Sequence, residues 1–330
     1  MATKNREVHL VKRPDGLPQE SDFKLVESSL PDITDGQVLI KQIYMSVDPA
    51  MRPRLTNGYE LDKPMTAGAI GRITQSKNKD FAEGDIVRNG IGFREYAVSD
   101  GKGLQKVVEE PGIPLSAYMS VLGGTGFTAY GGILDIPKLK DGEQVFVSTA
   151  AGAVGSIAAQ IAKIKGCYVV GSTGSDEKAA WLRDEAGLDA VINYKKEPIR
   201  KALKEAAPKG IDVYFDNVGG EHLDAALASM NQLGRVAVCG MISGYNNYGS
   251  RVPVNNLSNI IYGRVTIRGF VATDFMQLRP QFEKDMREWL KSGKIKWKET
   301  VLKGINNAPH AMVGLMQGEN IGKMLVQLDA

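Results

Sequence analysis

Two stretches of this chain carry residues whose types and spacing could do chemistry together. In STAAGAVGSIAAQIAKIKG, Ala150, Gly152 and Gly155 occupy the three positions of a GxGxxG fingerprint, with Ala in place of the first Gly. A glycine in the middle lets the backbone approach a pyrophosphate, and the third lets a helix pack close to the strand before it. The unpaired N–H groups at the helix start then hold the phosphates. The second stretch is VVGSTGSDEK, residues 169–178. A site selective for NAD places a carboxylate at the end of the second strand, on the ribose 2′-hydroxyl. Asp176 lies 21 residues after Gly155 and fits by count, yet it falls beyond the turn Ser172-Thr173-Gly174. Ser175 is a natural N-cap, which makes Asp176 and Glu177 first-turn acids favoured by the helix dipole. Lys178 follows one turn into that helix, and its amine can reach back over the turn. With no carboxylate at the strand end, a ribose 2′-phosphate fits there, so NADPH is the expected cofactor and Lys178 its phosphate partner. The plainer alternative is a solvated surface lysine. Tyr194, at the end of AVINY, belongs to the same end of the sheet and either covers the adenosine phosphate or only packs.

Metal chemistry finds little support in the residues. The cysteines, Cys167 and Cys239, sit in apolar strand-like runs, and His9, His222 and His310 are far apart with no CxxC motif. A structural or catalytic zinc is therefore not expected.

The elements that must position the phosphate loop are legible in the rhythm of the chain. After residue 125 strand and helix alternate, from EQVFVSTA and GSIAAQIAKIKG through CYVVGST, AVINY and DVYFDNV to RVAVCGM. Near-continuous β-branched runs alternating with amphipathic helices are what a parallel sheet covered on both faces requires. Residues 126–297 are thus expected to form a Rossmann-type, doubly wound domain. Before it, short strands with Pro and Gly punctuation (FKLVESSLP, QVLIKQIYMSV, AIGRITQS, DIVRNG, FREYAVSD) indicate a compact antiparallel barrel or sandwich. The tail reads strand, helix, strand, and its unmatched last strand is expected to return to that first domain. The substrate domain is accordingly 1–125 with 298–330, and the active site is expected in the cleft between the two.

Composition bounds the partners. The 330 residues suit two domains, and 43% hydrophobic with 24% charged residues is globular. A formal net charge of +3 without long like-charge runs does not suggest nucleic acid or a membrane surface. No signal-peptide pattern or apolar run of about 18 residues is present, so a cytoplasmic protein is expected.

The motifs converge on a family. The stretch STAAGAVGSIAAQIAKIKGCYVVGSTGSDEK, FDNVGG at 215–220, CGMISGYN at 239–246 and ENIGKMLV at 319–326 resemble the zinc-independent medium-chain dehydrogenase/reductase family, in its group of alkenal, prostaglandin and curcumin double-bond reductases. RPDGLP, SVDPAMR and FTAY fit the same group, so the resemblance spans nearly the whole chain. It implies an α/β fold with a GroES-like β-rich catalytic domain beside the Rossmann cofactor domain. NADPH would be held by Gly152, Ala153, Val154, Gly155, Lys178, Tyr194, Asn217, Cys239, Gly240, Ser243, Tyr245, Phe270, Val271, Ala272 and Asn320. Tyr44, Arg52 and Tyr59 would line the substrate site, with a place in the barrel core as the alternative for Tyr44, and a homodimer would form through VTIRGFVA. The chain departs from the family at Ala50, where an aromatic is usual, at Pro53, and in GGTGFTAY at 123–130.

The implied reaction follows from what is missing. Zinc-dependent relatives polarise a carbonyl with the metal, whereas the corresponding region here reads TAGAIGRI, without a Gly-His-Glu motif. Reduction of a simple ketone then lacks several kcal/mol of charge stabilisation, about what a bound Lewis acid supplies. A conjugated alkene needs less: hydride at the β-carbon moves charge onto the carbonyl oxygen as an enolate, which hydrogen bonds stabilise. A proton must then reach the α-carbon, and a tyrosine, with an ordinary pKa of about 10, is a protonated donor at neutral pH. Tyr262, where the family places a tyrosine, and Tyr245 are the two candidates; a water or ribose hydroxyl relay is a third route. The expected activity is NADPH-dependent reduction of the double bond of α,β-unsaturated aldehydes and ketones, with small electrophiles as partners. A quinone reductase of the same fold, or a non-catalytic NADPH-binding protein, are the alternatives.

Overall fold

A computed structural model describes residues 3–246 and 253–328. Strands β1 (Thr3–Leu10) and β2 (Phe23–Leu30) pair antiparallel as a two-stranded sheet. They are followed by β3 (Val38–Ser46), helix α1 (Met51–Asn57), β4 (Ala69–Ser76), β5 (Ile86–Asn89), β6 (Tyr96–Ser99) and β7 (Gln105–Lys106). Strand β3 is the centre of a second, larger sheet and pairs antiparallel with both β4 and β6. The carboxy-terminal strand Lys323–Gln327 also pairs antiparallel with β3, and Glu299–Lys303 pairs parallel on its outer side. Residues 1–119 and 299–330 thereby form one unit. Its core joins Val8, Leu10, Met45, Leu55 and Phe93 to Ala311, Met312 and Val326 of the tail.

The second unit, 120–298, holds helix α2 (Gly124–Leu134) and then a strict alternation. Strand β8 (Gln144–Val147) leads to α3 (Gly155–Ile164), β9 (Tyr168–Thr173) to α4 (Asp176–Asp184), and β10 (Ala190–Asn193) to α5 (Ile199–Ala206). Strand β11 (Ile211–Asp216) leads to α6 (Gly220–Ser229), β12 (Met230–Val238) to α7 (Asn259–Gly263), and β13 (Thr266–Gly269) to α8 (Arg279–Lys291). The six strands form one sheet in the order β10-β9-β8-β11-β12-β13, and every pair is parallel. One face is buried by Phe146, Val170, Tyr214 and Val236 with Leu203 and Leu223, and the other by Val145, Val169, Val213, Phe215 and Ala237, which is why the strands read as unbroken apolar runs. The order reverses between β9-β8 and β8-β11, and the crevice at the carboxyl ends of these strands is where such a fold takes its ligand.

Candidate cofactor-binding site

The turn from β8 into α3 is shaped by close packing. A Cβ on Gly155 would come within 2.3 Å of the Thr149 carbonyl oxygen, so this position must be glycine for α3 to start where it does. Thr149 itself takes φ of +49°, a left-handed conformation that β-branched residues rarely adopt. Ala150, fully buried, nests instead against Gly171 of β9, where an added Cβ would lie 2.8 Å from the Ala150 methyl. The Ala150 N–H donates to the Ser172 carbonyl at 2.9 Å, which fixes the phosphate turn to the end of the second strand. Gly152, Ala153 and Val154 form the turn into α3, whose Ser156 N–H donates back to the Gly152 carbonyl at 3.0 Å, and a helix start of this kind presents N–H groups to a bound phosphate.

At the end of β9 the expected capping is present. Ser175 is the N-cap of α4 and its Oγ accepts from the Lys178 N–H at 3.3 Å. Asp176 is engaged elsewhere: its carboxylate takes Lys196 Nζ at 2.5 Å and Asn193 Nδ2 at 2.9 Å. The Lys196 and Asn193 hydrogen bonds hold its pKa below the ordinary carboxylate value. Lys178 is half-buried, and desolvation, with Lys195 adding to it, lowers its amine below the ordinary lysine value. Tyr194 donates its backbone N–H to the Thr173 carbonyl at 3.1 Å. Its ring meets the buried His222 edge-on, with centroids 5.0 Å apart, and its hydroxyl lies 3.0 Å from where a Gly174 Cβ would be. Burial raises the Tyr194 hydroxyl pKa and pushes His222 down to about 4, so His222 is neutral at physiological pH.

Strand β11 ends in a hydrogen-bonded hub. Asp216 Oδ1 accepts from the Val218 and Gly219 N–H groups at 2.9 and 2.8 Å and from the Tyr214 hydroxyl at 2.6 Å. Asn217 donates Nδ2 to the Ser148 carbonyl at 2.7 Å and its N–H to Ser148 Oγ at 2.9 Å, which ties this turn to the phosphate loop. The Cys239 and Gly240 N–H groups donate to the Asp216 carbonyl at 2.8 and 3.1 Å. Cys239 lies just past the end of β12 rather than inside a strand, is half-buried, and its thiol is pushed up to about 12 by burial and then by Asp216. Ser243 Oγ donates to the Val218 carbonyl at 2.6 Å, and the Tyr245 hydroxyl accepts from the Met241 N–H at 3.3 Å. The turn 149–155, the strand end 172–178, the 216–219 turn and the 239–245 segment are therefore one connected edge. The sequence named most of this edge but missed Ser148 and Asp216; the Asp-Asn-Val-Gly-Gly run directly after an apolar strand was the available signal.

Other expected site residues stand differently. Phe270 packs into an aromatic group, 6.0 Å from Phe215 and 5.9 Å from Phe275 between ring centroids, with Val271 exposed and Ala272 opening the next turn. Tyr262 is 79% exposed on the five-residue α7 and is not joined to the connected edge. Part of the SGYNNYG loop, residues 247–249, lies outside the described residues. In the other unit, Asn320 is buried and donates Nδ2 to the Gly322 carbonyl at 2.7 Å, and Tyr44 is half-buried on β3. Arg52 and Tyr59, expected at the substrate site, are both buried. Arg52 is 1% exposed and donates to the Gly16 carbonyl at 2.7 Å and Thr56 Oγ1 at 3.0 Å, so it binds the RPDG turn to α1. Tyr59, also buried, donates its hydroxyl to the Thr66 carbonyl at 2.8 Å under the Arg54 guanidinium. A residue the sequence reading missed is Lys323: wholly buried, it donates to the Val47 carbonyl at 2.7 Å and pairs with Asp48 at 3.0 Å, anchoring the SVDP corner.

Comparison with known proteins bears on what such a site holds. Residues 6–107 match the family model described as the N-terminal domain of oxidoreductase, and residues 153–292 match the one described as zinc-binding dehydrogenase. Among the described residues, no group of three or more His, Cys, Asp or Glu side chains is arranged to hold a metal ion. The chain is 44% identical to prostaglandin reductase 1 of Bos taurus, covering 94% of this chain and 95% of that one. It is 38% identical to the NADP-dependent 2-alkenal reductase of Nicotiana tabacum, covering 98% and 97%. The structure of CurA from Vibrio vulnificus in complex with NADPH superposes with a TM-score of 0.93 at 35% identity, covering 98% of this chain and 99% of that one.

Proposed function

Since the chain belongs to the medium-chain dehydrogenase/reductase family, in its double-bond reductase group, we propose that it reduces the carbon–carbon double bond of α,β-unsaturated aldehydes and ketones with NADPH. The residues present fit that cofactor. The Gly152-to-Gly155 turn is packed so closely on Thr149 that Gly155 admits no side chain, as a tight phosphate turn requires, and the Ser172 hydroxyl at the strand end is buried with no hydrogen-bond partner among the described residues. The observation that carries the choice of NADPH over NADH is the engagement of Asp176 by Lys196 and Asn193, which leaves the turn Ser172–Ser175 without a free carboxylate.

In this reading Gly152, Ala153, Val154 and Gly155 hold the pyrophosphate, Lys178 and Tyr194 the 2′-phosphate end, and Asn217, Cys239, Gly240, Ser243, Phe270, Val271 and Ala272 the nicotinamide half, with Asn320 as a further ligand. When bound, the cofactor supplies hydride to the β-carbon of the substrate. The protein's part is to stabilise the negative charge that gathers on the carbonyl oxygen and to deliver a proton to the α-carbon. Tyr245 is the better placed donor: its oxygen already accepts the Met241 N–H, a polarising contact that leaves the O–H as the group to be given. Tyr262, on the exposed α7, is the second candidate. Replacing each by Phe and following steady-state turnover separates them: Tyr245→Phe is expected to lower kcat by about 10²-fold, with Tyr262→Phe within a few-fold of wild type. The reverse ranking would move the proton donor to Tyr262.

The activity itself is tested by kcat/KM with NADPH for a 2-alkenal, an enone and a quinone. The alkenal or enone is expected to exceed the quinone at least about tenfold, a ΔΔG‡ of about 1.4 kcal/mol. A quinone preference would assign the chain to quinone reduction instead, and binding without any oxidation of NADPH would make it a non-catalytic binder. The chain is also proposed to act in the cytoplasm, as no helix among the described residues is long and apolar enough to cross a membrane. A homodimer through β13 is supported by its place at the edge of the parallel sheet and by exposed Ile261, Tyr262 and Val271 around it.

A further inference from the structure

Three lysines follow or face the turn Ser172–Ser175, and they are not equivalent. Lys196 is taken by Asp176 at 2.5 Å. Lys195, its neighbour in sequence, forms no ion pair among the described residues, and its stem is folded inward: Lys195 Cε lies 3.3 Å from where a Gly174 Cβ would be, beside the Tyr194 hydroxyl at 3.0 Å. Lys178 approaches the same turn from α4, with its backbone N–H held by Ser175 Oγ. The Lys195 stem and the Tyr194 phenol thus converge over a glycine that has no side chain to cover them, and Lys195 is near enough to act on the Lys178 amine. We propose that Lys195 is a second cationic ligand of the cofactor's 2′-phosphate, so that the selectivity for NADPH rests on the Lys178–Lys195 pair and not on Lys178 alone.

An anion at this turn would meet two cationic side chains. Like charges brought together repel, and after burial Lys195 is the group that depresses the Lys178 amine, with Glu177 acting in the opposite sense. A 2′-phosphate carries up to two negative charges and three acceptor oxygens, enough to accept hydrogen bonds from both amines and the Tyr194 hydroxyl. Gly174 matters for the same reason: a side chain there would collide with Tyr194 and Lys195 and fill the space above the turn. The neutral His222, edge-on behind the Tyr194 ring, fixes the third member of the cradle without adding charge.

The inference rests on the NADPH reading, and calorimetric titration with 2′,5′-ADP and with 5′-ADP distinguishes the two. Lys195→Gln is expected to weaken 2′,5′-ADP about tenfold or more while changing 5′-ADP by less than about twofold. Lys195→Arg is expected to restore most of the loss, and Lys24→Gln, an exposed lysine of the other unit, to leave both ligands unchanged. If Lys195→Gln binds 2′,5′-ADP within twofold of wild type while Lys178→Gln does not, Lys195 is a solvated lysine and the pair is overturned, with the cofactor reading intact. If the wild-type chain itself does not prefer 2′,5′-ADP over 5′-ADP, both readings fall.

Discussion

Asp176 stands at the count from the phosphate loop where a carboxylate would select NAD, and its neighbours take it out of that role. Capping by Ser175 turns it onto the outside of α4, and Lys196 with Asn193 occupies its oxygens. Removing it is therefore expected to leave cofactor choice alone: Asp176→Ala keeps the NADPH:NADH ratio of kcat/KM within about twofold, whereas Lys178→Ala lowers that ratio by about tenfold or more, the worth of a charge-assisted hydrogen bond. A second residue-scale expectation concerns His222, whose pKa falls from 6.5 to about 4 on burial. Below pH 6.5 the unfolded chain binds a proton that the folded chain does not, so stability is lost as pH falls and levels off only below about 4. The loss amounts to about 3 kcal/mol. Urea denaturation at pH 7 and pH 4.5 checks it: His222→Phe, which keeps a ring between Phe146 and Tyr194, is expected to lose less stability than wild type between the two. An equal loss in both proteins would place the acid sensitivity elsewhere.

At the scale of elements, the phosphate turn shows how a substituted fingerprint is accommodated. Ala150 at the first position is tolerated because Gly171 on the neighbouring strand leaves space for its methyl, and Thr149 carries the left-handed backbone. Gly171→Ala should then destabilise the chain by about 1–3 kcal/mol, since the new methyl meets Ala150 and Leu188. Ala150→Gly in the same chain should recover part of that loss, read as a shift in urea midpoint; strict additivity of the two changes would contradict the contact. The alternation of β8 through β13 with helices was legible because both sheet faces are buried and the strands are unbroken apolar runs. The proposed capping at Ser175 was legible too, being a local rule. Strand β1 was not. TKNREVHL looks polar because Asn5 and Glu7 point inward, where Asn5 Nδ2 donates to Glu7 Oε1 at 2.7 Å, Ser28 Oγ to the same oxygen at 2.9 Å, and the Tyr96 N–H to Asn5 Oδ1 at 2.9 Å. Pairing with residues far along the chain erases the hydrophobic alternation that marks a strand. The same holds for Arg52: an arginine near a family motif invites a ligand role, and only the tertiary structure shows its guanidinium turned onto Gly16 and Thr56.

For the molecule as a whole, the exposed row at the edge of the parallel sheet carries the assembly expectation. Ile261, Tyr262 and Val271 are 73%, 79% and 61% exposed beside β13, an edge strand with free backbone groups. Sedimentation of the wild type is expected to give a dimer, and Val271→Asp with Ile261→Asp a monomer; a monomeric wild type at micromolar concentration would remove the proposal. The family's chemistry, the occupied Asp176 and the Lys178 side of the turn all point to one reaction, and its product tests it most directly. Incubation of the purified protein with NADPH and a 2-alkenal, followed by mass-spectrometric and NMR identification of the product, is predicted to yield the saturated aldehyde in proportion to the NADPH consumed. Recovery of the allylic alcohol, with the double bond intact, or of unchanged alkenal would contradict the assignment.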